Sequence, residues 1–97
     1  MTVAPKDLAA VADSVAAAAL SVPGVSRLHG GRFGEVATYL AGRQVEGVRL
    51  RDGLLEVHLA VVMGSALLEV AGAVRDAVTP LVDTQVDVFV EDVVSDE

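Results

Sequence analysis

Two histidines, a group of late carboxylates and one glycine-rich loop are the parts of this chain whose residue types could do chemistry. His58 stands two residues from Glu56, the spacing that puts two side chains on one face of a β-strand. An imidazole beside a carboxylate can move protons, or ligate a metal if a third ligand is in reach; none is spaced for it here. The pair therefore reads as a solvated pair on the polar face of a strand. His29 lies beside Gly30-Gly31 in a loop and reads as solvated too. Asp87, Glu91 and Asp92 offer carboxylates for acid–base work, but Asp87 and Glu91 are about 13 Å apart on an extended strand, too far to perturb each other strongly. No serine or threonine has a histidine placed as its base, and no Gly-Lys-Ser/Thr follows the glycines to make a phosphate loop. These residues predict no catalytic group, no metal site, no cofactor and no small-molecule substrate.

Binding chemistry is the alternative. Gly31-Arg32-Phe33-Gly34 matches the G-x-x-G loop with which KH-like domains clamp an RNA backbone. That loop joins two helices, whereas strand-like residues follow this one. Arg27, Arg32, Arg43, Arg49 and Arg51 face only Glu35 and Glu46 between residues 27 and 51, a local balance of +3. The whole chain has seven Lys+Arg against fourteen Asp+Glu, a net −7, which argues against a nucleic-acid partner because neutralised phosphates supply most of that affinity. Asp83, Asp87, Glu91, Asp92, Asp96 and Glu97 give residues 83–97 a charge of −6. Such acids solvate a strand edge and discourage edge-to-edge aggregation. The segregated charge also suggests contact between copies, the basic region of one meeting the acidic region of another. The candidate interaction surface is then Arg27, Arg32, Arg43, Arg49, Arg51, Asp87, Phe89 and Glu91, with Phe89 as its apolar anchor.

The elements that must position these residues follow from periodicity. At 97 residues the chain makes one domain, and 53% hydrophobic residues exclude a disordered tail. Without cysteine, disulfides, thiol catalysis and zinc–thiolate sites are excluded. With three aromatic residues, the core must be packed from Val, Leu and Ala. Leu8, Val11, Ala12, Val15, Ala19 and Val22 follow helical spacing behind Pro5, with Lys6, Asp13 and Ser14 on the opposite face, and Pro23-Gly24 ends that helix. Asp7 and Asp13 argue against a signal peptide, and the charge-free run from Ser14 to Ser26 is shorter than the ~20 residues of a membrane span. Arg27 to Gly34 reads as loop, Val36–Leu40 as a short strand and Val45–Leu50 as another. Asp52-Gly53 makes a hairpin turn into a strand over Leu54–Met63, with Leu55, Val57, Leu59 and Val61 covered and Glu56, His58 and Ala60 in water. Ser65 suits a helix N-cap before Leu67, Val70, Ala71, Val74, Val78 and Leu81, with Pro80 near the end. Gln85–Val93 alternates as a closing strand, parallel to the long hairpin strand, and 94–97 reads as frayed. The prediction is an α+β fold, α-(β)-β-β-α-β, with two helices on one face of a three- to four-stranded mixed sheet and the other face in water.

In that order the motifs resemble a known family. An opening helix runs into SVPGV (Ser21–Val25), followed by Gly30-Gly31, VRLRDGLLEVHLAVVMG (Val48–Gly64), SALLEVAGAVRDAV (Ser65–Val78) and VDVFVEDV (Val86–Val93). This resembles the alkaline shock protein 23, or envelope stress response, family over roughly Lys6 to Val94. The resemblance implies a bacterial, cytoplasmic, non-enzymatic interaction or assembly module, held in some relatives at the inner face of the membrane by a separate anchored partner. It implies no direct membrane insertion, and the family has no catalytic motif to carry over. The chain departs from the family in lacking long charged tails, in the segment RFGEVATYLAG and in its arginine-rich basic set. Two other readings stay open: a KH-like RNA-binding domain, and a BON-like lipid- or surface-binding module with the same order of elements.

Overall fold

The computed structural model describes residues 8–95. The expected helix start at Pro5 to Asp7 and the fraying of Asp96 and Glu97 lie outside the described residues. Helix α1 (Leu8–Leu20) turns Ala12, Val15 and Ala19 into the core, as its spacing predicts. Then come β1 (Val25–Leu28), β2 (Ala37–Leu40), β3 (Arg43–Glu46), β4 (Val48–Arg51), β5 (Leu54–Val62), α2 (Leu67–Val78), a 3-10 turn over Thr79–Leu81, and β6 (Gln85–Val94). The fold is α+β. Both helices pack on one face of a four-stranded mixed sheet, and a separate hairpin, β2–β3, stands beside it.

Strand β5 is the axis of the sheet. It pairs with β6 in parallel along its whole length, through a crossover that contains α2. Its opposite side is shared: β4 runs antiparallel along Leu54–Val57 and β1 antiparallel along Leu59–Val61. The seam between those two partners falls at His58, whose N–H donates to the Gly47 carbonyl while its own carbonyl accepts from the His29 N–H. The Asp52-Gly53 turn has φ of 54° and 73°, the positive values a two-residue hairpin demands. Leu55, Val57, Leu59, Val61, Val48, Val74, Val78 and Val15 are fully buried, so an almost entirely aliphatic core is closed between sheet and helices.

Four local expectations need correction. The stretch read as a loop from Arg27 begins inside β1, because Val25 and Leu28 cover the end of β5. The strand expected over Val45–Leu50 is two, broken at Gly47, whose φ of 84° turns the chain from the hairpin sheet into the main sheet. Helix α2 starts at Leu67 behind Ala66, not on a Ser65 cap, and it ends at Val78 before the 3-10 turn that holds Pro80. Leu67 and Leu81, assigned to its buried stripe, are exposed. Among the described residues, no helix is long and apolar enough to cross a membrane.

Candidate functional site

The largest departure from expectation is on the sheet face without helices. Glu56, His58 and Ala60 were expected in water; they are 7%, 6% and 0% exposed. Longer side chains from the flanking strands cover them. Arg49, opposite Glu56 on β4, donates from Nη2 to Glu56 Oε1 at 2.9 Å. On the other flank His58 neighbours Phe89 of β6, and the two rings stack with centroids 4.3 Å apart and planes 16° from parallel. A bulge carries the cluster to its last member. The β5–β6 register steps from Leu59↔Val90 to Ala60↔Asp92, leaving Glu91 as the extra residue, and its carboxylate meets the ring of His58. The simple alternation that spaced Asp87 and Glu91 by two strand steps therefore breaks at Glu91.

The imidazole of His58 is held from both ends. Nε2 lies 2.9 Å from Glu56 Oε1 and Nδ1 lies 2.5 Å from Glu91 Oε2. A neutral imidazole has one N–H, so both contacts are hydrogen bonds only when the Glu56–His58–Glu91 group holds one proton beyond a neutral ring and two carboxylates. Burial pushes the Glu56 carboxyl up, but hydrogen bonds from His58 and Arg49, with the charges of both, outweigh it and hold the group below its usual range. With both ring nitrogens engaged, His58 has no lone pair to offer an ion. Among the described residues, no group of three or more His, Asp and Glu has the geometry to hold a metal. Chemically the cluster can brace a surface and keep Phe89, still 40% exposed, in one orientation.

The residues expected to make one interaction surface are spread over several places. Arg49, Phe89 and Glu91 meet on the open face around His58. Asp87 is on the same strand, its Oδ1 accepting from Gln85 Nε2 at 3.1 Å. Arg51 is exposed at the hairpin end, and Arg27 donates to the carbonyl of Leu28. Arg43 is elsewhere: it grips Asp13 of α1 through two hydrogen bonds of 3.0 and 2.8 Å, tying the β2–β3 hairpin to the helix layer. That contact lowers the Asp13 carboxyl, chiefly through the hydrogen bond itself. Arg32 lies over the ring of Phe33, 5.7 Å from its centroid, on the G-x-x-G loop. This loop joins β1 to β2, two strands rather than two helices. The +3 balance is thus not one patch, since Arg43 and Arg49 each have an acid within the domain. Glu56 and His58, the centre of the cluster, were absent from the predicted surface. The pairing of Arg49 with Glu56 could have been found by counting back from the Asp52-Gly53 turn. No family model matches this chain, and no curated protein or solved structure matches it.

Proposed function

We propose that this domain is a non-enzymatic protein-interaction module that recognises its partner through the open face of the sheet. The observation that supports the reading is the braced aromatic: Phe89 is partly exposed, yet fixed by stacking on a His58 held at both nitrogens. A rigid aromatic amid charged groups loses little conformational entropy on contact, which is the usual make-up of an interface anchor. The assignment to bacterial envelope homeostasis rests on the motif resemblance alone; in that setting the domain would be cytoplasmic and would reach the membrane through an anchored partner. Photo-crosslinking in the source cells tests the interaction reading. A benzophenone amino acid at position 89 should yield a discrete protein adduct that is missing when the same probe replaces Ser14, on the exposed side of α1. Adducts to nucleic acid, or identical adducts from both positions, would overturn it.

A further inference from the structure

We infer that the free edge of β6 is a docking strand, which takes an extended cationic segment of a partner protein as one more strand of the sheet. The inference rests on the reading of the domain as an interaction module and names how the partner is held. Among the described residues, β5 is the one strand paired with β6, so the other long side of this ten-residue strand has none. Two bonds show which residues face outward. Met63 N–H donates to the Val94 carbonyl, so Val94 faces β5. Counting back through the extra residue at Glu91, Phe89 and Asp87 face β5 as well, while Val86, Val88 and Val90 turn their N–H and C=O groups to the free edge. The Val86 carbonyl agrees, since it accepts from Arg75 Nε, outside the β5–β6 ladder, at 3.2 Å.

That same contact closes one end of the edge. At the other end the Val93 N–H is taken by Asp92 Oδ1 at 2.9 Å. Between these side-chain stoppers the N–H and C=O groups of Val88 and Val90 form an open window of alternating donors and acceptors, the pattern a β-strand ligand completes. The charge beside the window selects the occupant. Asp87 and Glu91 lie on the outer face at its two sides, and Asp92 follows. A second copy docked antiparallel about Phe89 would set Asp87 against Glu91 of its mate twice, and like charges directly opposite are unfavourable. A strand with Lys or Arg at alternate positions meets those carboxylates instead.

Amide hydrogen exchange on the full chain tests this with three short synthetic peptides: one alternating Lys and Val, one alternating Glu and Val, and the Lys/Val peptide with N-methylated backbone amides. The Lys/Val peptide alone should slow exchange at Val88 and Val90 by about tenfold or more at saturation, leaving Asp87 and Phe89 unchanged. Asp87→Asn should weaken its binding by about threefold. Equal protection by the acidic or N-methylated peptide, or none by any, overturns the inference. So does protection that grows with protein concentration without peptide, which would make a second copy the occupant. If the position-89 probe still captures a protein while no peptide protects the edge, the strand-docking inference falls and the interaction reading stands; if both are negative, both fall.

Discussion

Glu56 Oε1 serves two partners at once, accepting from Arg49 and facing His58, in a place where water reaches little of either. Removing it leaves Arg49 Nη2 and the buried His58 Nε2 without their acceptor, though His58 keeps Glu91 at its other nitrogen. Glu56→Ala should cost about 2–3 kcal/mol in chemical denaturation, more than a surface carboxylate would. Because the folded Glu56 carboxyl ionises below its usual range, its contribution is complete above the unfolded value of about 4.3 and is lost as pH falls through the folded one. Asp13 moves in the same direction, so the parent alone cannot assign the slope. The difference between the parent and Glu56→Gln, followed by denaturation from pH 6 to 3, should narrow as pH falls; a constant difference would deny the carboxylate this part. Gly47 is the second residue on which much depends. At φ 84°, a methyl group there would come within 2.8 Å of the His58 carbonyl and 2.9 Å of the His29 nitrogen, both backbone. Gly47→Ala should destabilise by about 2–4 kcal/mol and remove exchange protection at His29 and His58.

Among the elements, β5 is unusual in being covered on both faces. An isolated acid at Val57, fully buried beneath the helices, has no partner in reach, and Val57→Asp should abolish cooperative unfolding or lower its free energy by several kcal/mol. Helix α2 offers the opposite case. Gly72 has helical neighbours on both sides and nothing near its missing Cβ, so Gly72→Ala should raise stability by about 0.5–1 kcal/mol. The elements that could be read from the chain are those with a strong local rule. The two helices, the Asp52-Gly53 turn and the strands β5 and β6 each appeared where expected, although Leu67 and Leu81 lie outside the buried stripe of α2 and β5 is buried on both faces rather than alternately. What could not be read depended on contacts remote in sequence. Strand β1 has only four residues and little alternation; its partner is some thirty positions away. The break at Gly47 separates two sheets within a stretch, Val45–Leu50, whose composition reads as one strand. The burial of His58 required, within the expected parallel pairing, a register that sets it beside Phe89 and the bulge at Glu91, neither of which has a signature in composition. Hence the polar face was predicted correctly as polar and wrongly as wet.

At the scale of the whole molecule, the acids of β6 stand beside its free edge. If Asp87 and Glu91 are what keeps two edges apart, reversing one charge should create two complementary pairs across a two-fold axis. Asp87→Lys should then dimerise in sedimentation at low salt and return to monomer toward 1 M salt, where the Debye length is about 3 Å. A parent that dimerises as strongly as Asp87→Lys would show that charge is not the guard. The central place of β5 has a further consequence in time. Among the partners of β5, β4 alone closes through a two-residue loop, as β2 and β3 do with each other; β1 and β6 each reach β5 across a long stretch of chain, and β6 must wait for α2 to cross over. Loop-closure entropy therefore orders the assembly of the main sheet, with the hairpin at the Asp52-Gly53 turn first and β1 and β6, each paired about thirty residues away in sequence, later. Changes in that turn should slow refolding, whereas changes in β6 should mainly quicken unfolding. The strand whose outer edge stays open when folding is done is thus one of the two that join β5 late.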